Sequence, residues 1–196
     1  MILKKKIVLG STSVYRAQLF ARLGLEFVSA SPATTESPLD GESPAATALR
    51  LAIAKAQSLR TRFQDALVIG ADQVADQNGI GIGKPGTRQK AFKQLQHMRG
   101  QTLIFHSGIA LLNTITGHVQ SRIVATTVRF RDFSPQEIEN YLDRENALDC
   151  AGSAKSEGLG IALMASMQSD DPTALIGLPL IALTDMLRAE GIAVLA

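Results

Sequence analysis

A chain of 196 residues, 45% hydrophobic and 19% charged, can bury an ordinary globular core without disulfide or metal staples. Its 20 basic residues nearly balance 18 acidic ones, which excludes the broad positive field that drives binding to nucleic-acid polymers, and seven Phe, two Tyr and no Trp leave little for a base-stacking platform. One cysteine, Cys150, excludes an internal disulfide or a Cys-based zinc site, no apolar stretch approaches the ~18 residues of a membrane span, and the cytoplasm is the expected compartment.

The basic run Lys4-Lys5-Lys6 precedes only three apolar residues, Ile7-Val8-Leu9, before Gly10 and serines, so it reads as the start of a buried strand and not as an export leader. Leu19, Phe20 and Leu23 then recur at helical spacing over Ser13 to Leu23, with Gly24 placed to end the helix. A polar, proline-punctuated stretch from Ser31 to Pro44 leads into a second helix running to about Arg60, with Ala48, Leu51, Ala52, Ala56 and Leu59 on one face. Leu67 to Gly70 predicts another buried strand. A third helix begins near Thr87, carries Ala91, Phe92, Leu95 and Met98 inward, and closes at Gly100. Thr102 to Leu112 and His118 to Phe130 predict a hairpin joined through Thr114 to Gly117. Ser134-Pro135-Gln136-Glu137 is a capping box that launches a helix through Ile138, Tyr141 and Leu142. The tail holds a glycine-rich segment from Cys150 to Gly160, a strand near Ile161 to Met164, an acidic turn at Asp170-Asp171-Pro172 and a helix from about Pro179 to Glu190. Strands alternating with helices, plus a hairpin and no dividing linker, predict a single α/β domain over 1–196 with a mixed sheet.

Chemistry-bearing residues gather near strand ends. Gly10-Ser11-Thr12-Ser13-Val14-Tyr15-Arg16 joins a strand end to a helix start with hydroxyls and an arginine, which suits either a phosphate cradle or a plain serine cap. Lys55 shares a face with Leu51 and Leu59 and must snorkel to water or meet an anion. Asp72, read at the carboxyl end of a buried strand, is a candidate metal ligand or general base, or the cap of a turn, and Glu36 is a candidate second oxygen ligand. Gly79 to Pro85 imitates a nucleotide-binding glycine loop, yet Asn78 and Pro85 stand where a Walker A motif needs glycine and Ser/Thr. His97, His106 and His118 lack the spacing of a histidine metal site. Arg16, Lys55 and Lys84, two acids and a helix terminus together suit a polyphosphate held against a divalent cation.

Five motifs in order resemble the Maf family of nucleoside triphosphate pyrophosphatases: Ser11-Thr12-Ser13-Val14-Tyr15-Arg16, Glu36-Ser37-Pro38, Ala52-Ile53-Ala54-Lys55-Ala56, Gly70-Ala71-Asp72-Gln73 and Gly83-Lys84-Pro85. The resemblance implies an α/β fold of the Maf and inosine-triphosphatase kind, a mixed β-sheet flanked by helices in two lobes with a central cleft. It implies hydrolysis of the α–β phosphate bond with Mg²⁺ or Mn²⁺, Asp72 as proton acceptor, Glu36 and Asp72 at the metal, and Ser11, Arg16, Lys55 and Lys84 at the phosphates. Gln73 after the aspartate, Tyr15 before the arginine and Cys150-Ala151-Gly152-Ser153-Ala154-Lys155-Ser156-Glu157-Gly158 resemble the subgroup acting on 7-methyl-GTP, which implies that Tyr15, Gln73 and Glu157 set base specificity. The sister subgroup, acting on dTTP and UTP, and a nucleotide-sensing regulator of cell division are the rival readings. Thr35 stands where the family pattern has an acid and Ala154 where it has an aromatic. A nucleoside triphosphate and a second copy of the chain in a homodimer are the implied partners, with no nucleic-acid polymer and no membrane.

Overall fold

A computed structural model of the chain describes residues 5–195, so Lys4 of the basic run lies outside the described residues. Strand β1 (Lys6–Gly10) leads into helix α1 (Val14–Ala21), capped by the Ser13 hydroxyl, which accepts from the Arg16 amide. The short strand β2 (Val28–Ser29) and an irregular segment precede helix α2 (Pro44–Gln57), capped by Ser43. Strands β3 (Ala66–Gln77) and β4 (Ile80–Ile82), helix α3 (Arg88–Met98), and strands β5 (Thr102–Asn113) and β6 (Val119–Phe130) follow. Helix α4 (Pro135–Arg144) carries the expected reciprocal capping box of Ser134 and Glu137. Strand β7 (Met164–Ser169) and helix α5 (Leu180–Ala189) end the described chain.

Among the described residues the strands form a single seven-stranded mixed sheet in the order β2-β1-β3-β5-β6-β7, with β4 folded back on β3. β1 pairs parallel with β2 and β3, while the other pairings are antiparallel. Strand periodicity sorts the side chains. Ile7, Leu9, Leu67, Ile69 and Ile109 pack with Phe20, Leu183 and Leu187 on one face, whereas Val8, Val68, Ala110 and Leu112 pack with Ala52, Ala56 and Leu59 on the other. Farther along the long strands, Ala75, Phe105 and Phe130 form another core with Leu95, Met98, Ile138 and Tyr141. The molecule thus has two lobes on one continuous sheet. No helix among the described residues is long and apolar enough to cross a membrane.

Three expectations need correction. β3 does not stop at Gly70: only its parallel pairing with β1 ends there, and it continues antiparallel to β5 as far as the Asp76–Ile104 pair. Asp72 therefore sits within a strand, just beyond the parallel stretch. The predicted strand near Ile161 to Met164 is a 3-10 turn over Leu159–Leu163, and β7 starts at Met164. Leu163 and Met164 are both buried, so their apolarity reflects packing under α4 and not strand alternation. α2 ends at Gln57, three residues short, where the Ser58 hydroxyl donates to the Lys55 carbonyl and competes with the next helical turn.

Two glycines set how closely α2 approaches the sheet. A methyl group on Gly70 would lie 2.0 Å from the Ala52 carbonyl oxygen, and one on Gly108 2.3 Å from that of Ala48. Ala48, Ala52 and Ala56 present a small-residue ridge to these glycines, so backbone packs on backbone. Gly70→Ala is expected to lower the unfolding free energy by about 1–3 kcal/mol in a denaturant titration. Gly83→Ala, whose methyl would meet nothing within 4 Å, should stay within about 0.5 kcal/mol. Equal effects would refute the close-packing account.

Candidate active site

A cleft of about 960 Å³ draws its walls from the β1–α1 turn, the segment before α2, α2 itself, β3, the β4 hairpin, residues 149–157 and the 174–177 turn. Both lobes therefore contribute to it. Lys55 projects from the buried face of α2, only 5% exposed, and finds the anion that such a position requires. Its ammonium donates to Asp72 Oδ1 at 2.6 Å and pairs with Glu36 Oε1 at 2.7 Å. Asp72 is itself 8% exposed, while the Glu36 side chain is 56% exposed on the cleft rim.

Arg16 is half-buried, one turn into α1. Its Nε donates to the Gly177 carbonyl at 2.8 Å. Burial pulls the guanidinium below its ordinary value, and the charges of Asp72 and Glu36 work the other way, so Arg16 belongs to the same electrostatic group. The hydrogen bond from Lys55 holds the Glu36 carboxyl below its ordinary range against partial burial, helped by the charges of Lys55, Lys84 and Arg16. Lys84 itself is exposed on the segment after β4. The five groups singled out in sequence thus converge.

The β1–α1 turn is more committed than the sequence suggests. Ser11 is buried and its hydroxyl accepts from the Ser13 amide at 3.1 Å, while the Ser13 hydroxyl accepts from the Arg16 amide. Helix geometry leaves the first-turn N–H groups of Val14 and Tyr15 without intrahelical acceptors, a disposition that suits an anion. Ser11 shapes the turn.

A second group of residues borders the cleft. The Gln73 Nε2 donates to the Ala174 and Leu175 carbonyls and to Ser107 Oγ, all within 3.0 Å. Two carbonyl acceptors fix which end of the amide is nitrogen. The Gln73 donor is therefore spent on the 174–177 turn, and Oε1 remains. Tyr15 carries the Lys155 ammonium 4.9 Å from its ring centroid, so one ring face is already occupied by a cation. Lys155 is held in turn by Glu145 at 2.9 Å. Sequence reasoning did not single out this pair, although Lys155 lies in the quoted glycine-rich segment.

Glu157 and Asp149 are exposed, line the cleft and flank Cys150. Burial first, then the charges of Asp149 and Glu157, push the Cys150 thiol up to about 12, which keeps it from acting as a thiolate nucleophile. Ala154 lines the cleft and packs against the α3–α4 core in place of an aromatic. His106 pairs with Asp76 at 3.0 Å. Among the described residues no cluster of three or more His, Cys, Asp or Glu could hold a metal ion by itself.

A family model described as Maf-like protein matches residues 6–190. The chain is 56% identical over 187 residues to a protein of Aromatoleum aromaticum named 7-methyl-GTP pyrophosphatase, covering 95% of this chain and 96% of the relative. It is 52% identical over 189 residues to one of Methylobacillus flagellatus with the same name, covering 96% and 98%, and 54% identical over 189 residues to one of Thiobacillus denitrificans, covering 96% and 94%.

The Glu36 carboxyl is expected to titrate below 4.5 in the intact protein and to rise when Lys55→Met removes the hydrogen bond, as read by carboxyl ¹³C NMR. A depressed carboxyl value contributes stability above the unfolded value and loses it as pH falls through the folded one, so the pair's contribution fades below about pH 4.5. An unmoved titration in the variant would show that Lys55 does not control Glu36.

Proposed function

The chain belongs to the Maf family, and from that premise we propose that it is a nucleoside triphosphate pyrophosphatase that splits the α–β phosphate bond, with 7-methyl-GTP as its nucleotide. The observation that carries the reading is the convergence of Asp72 and Glu36 on one ammonium, with Arg16 and Lys84 in the same field. That is a charge-dense anion site with a carboxylate at its centre.

Arg16, Lys55, Lys84 and the first-turn amides of α1 bind the triphosphate and offset the charge that develops on the departing pyrophosphate. Asp72, aimed by Lys55, orients a water toward the α-phosphorus and takes its proton as the new P–O bond forms. The bond from that phosphorus to the oxygen bridging the β-phosphate breaks, and pyrophosphate leaves with the bonding pair. Glu36 and Asp72 fit a hard divalent cation, Mg²⁺ or Mn²⁺: two carboxylates are the protein share usual for an ion that also takes phosphate oxygens and water. When bound, that cation would neutralise phosphate charge and polarise the phosphorus.

For the base, Gln73 Oε1 and Glu157 are acceptors, matching the N1–H and exocyclic amine of guanine. N7-methylation makes the base cationic, which the carboxylates of Glu157 and Asp149 at the cleft favour. With Lys155 over Tyr15, stacking is left to the remaining ring face. Asp72→Asn should lower turnover by ~100-fold or more in an assay of pyrophosphate release from a nucleotide panel with Mg²⁺. Near-normal turnover would remove Asp72 from the proton-acceptor role, and binding without product in the unmodified protein would overturn the enzyme reading. Glu157→Ala should narrow the preference for 7-methyl-GTP over UTP by about tenfold while the best turnover falls less.

A further inference from the structure

Residues 31–41, which carry Glu36, contain no helix or strand, and from Glu36 to Gly41 every residue is exposed. Leu39, the large apolar side chain there, is 59% exposed. Such a segment buries too little to offset the conformational entropy lost on ordering it, so its order must come from polar ties. Lys55 provides one, through Glu36 itself. The others meet at the Arg50–Glu42 pair. Arg50 Nε donates to Glu42 Oε1 at 2.6 Å and Arg50 Nη2 to Glu42 Oε2 at 2.7 Å, the two-point fork of a strong arginine–carboxylate pair. Arg50 Nη2 also donates to the Ser37 carbonyl at 3.1 Å, one residue after Glu36. Glu42 Oε2 accepts from the Leu39 amide at 3.1 Å and from the Thr47 hydroxyl at 2.8 Å, and the Glu42 amide donates to the Leu39 carbonyl. The hydrogen bonds from Arg50 place the Glu42 carboxyl at about 2, so the fork is ionised across the working pH range.

We infer that Arg50, locked by Glu42, is a positioning residue that pins the backbone beside Glu36 to α2, the helix that also delivers Lys55, and thereby sets how tightly the site takes its divalent cation. The inference rests on the assignment of Glu36 as a metal-binding residue. Arg50 does not line the cleft. Its hydrogen bonds go to the Ser37 carbonyl and to Glu42, and it also feels the charge of Asp72; a lysine at 50 keeps the positive charge but loses the fork, so Arg50→Lys separates the two.

The test combines Arg50→Gln, Arg50→Lys and Glu36→Gln with the double variant Arg50→Gln/Glu36→Gln. Amide hydrogen exchange over residues 36–42 is followed together with Mn²⁺ binding by electron paramagnetic resonance, in the presence of an α,β-methylene nucleoside triphosphate that cannot be cleaved, and with the Mg²⁺ concentration for half-maximal turnover. Expected are exchange at 36–42 at least tenfold faster in both Arg50 variants, a five- to tenfold weaker Mn²⁺ affinity, a five- to tenfold higher Mg²⁺ concentration for half-maximal turnover, and turnover at saturating Mg²⁺ within about twofold. Glu36→Gln should weaken the cation at least as much, and adding Arg50→Gln to it should change nothing further. Unchanged exchange in both Arg50 variants overturns the inference, as does a loss in the double variant equal to the sum of the single losses. If Glu36→Gln leaves Mn²⁺ affinity intact, the metal assignment of Glu36 falls instead, and the exchange data alone then decide whether Arg50 pins the loop. A variant that fails to fold is replaced by Glu42→Gln, which breaks the same fork from its other side and carries the same expected shifts.

Discussion

Backbone packed directly on backbone is the constraint from which the site follows. Because Gly70 and Gly108 leave no side chain between β3, β5 and α2, the Ala48–Ala52–Ala56 ridge settles against the strands themselves. A lysine one residue before the last alanine of that ridge is then forced into the interface. At ordinary helix–sheet spacing its ammonium could find water. At this spacing it is 5% exposed, and an unpaired charge there would cost several kcal/mol. Asp72, two residues beyond Gly70 on the same strand face, and Glu36 supply the partners. The glycines thus decide where a buried charge must be neutralised.

The opposite face of the sheet shows how Arg16 and Gln73 are joined. Gln73 and Ser107, register partners on β3 and β5, both donate to the Ala174 carbonyl, and Arg16 donates to Gly177 three residues later. The 174–177 turn is therefore held from two sides, by Gln73 and by Arg16. Asp171, 2% exposed, secures the same connection by accepting from the Thr173 and Ile181 amides, so the acidic turn at Asp170-Asp171-Pro172 carries an internal tie at the start of α5. Gln73 thereby builds the wall of the cleft while leaving one oxygen free.

Legibility in the sequence followed the range of the forces involved. The Ser134–Glu137 capping box, the Gly100 turn with φ +69 and the β5–β6 hairpin are local, each fixed by a few adjacent residues, and each forms where it was expected. The short strand β4 is absent from the sequence reading although its turn, Asn78-Gly79 with both φ positive, is a strong short-range hairpin signal; the same glycines also imitate a phosphate loop. The length of β3 was not legible, because Gly70 and Asp72 are poor strand formers alone and are held extended by pairing with β5 and by α2 above them. The motif residues could be picked out, but whether Lys55 would snorkel or pair depended on helix–sheet distance, which no single segment encodes.

That Lys55 can serve both the resting site and the substrate follows from donor arithmetic. An ammonium has three N–H donors and no acceptor. Asp72 and Glu36 each take a donor, which leaves the remaining N–H to aim along the cleft, where Arg16 and Lys84 add positive charge. Three cationic side chains face two carboxylates in this group, a single positive excess, whereas a triphosphate brings a larger negative charge. Full neutralisation therefore requires more positive charge than the chain supplies at this point. An arginine at position 55 would spend its planar fork on one carboxylate and lose the three-way geometry. The compact ammonium is what allows one buried side chain to hold the two acids apart and still face an anion.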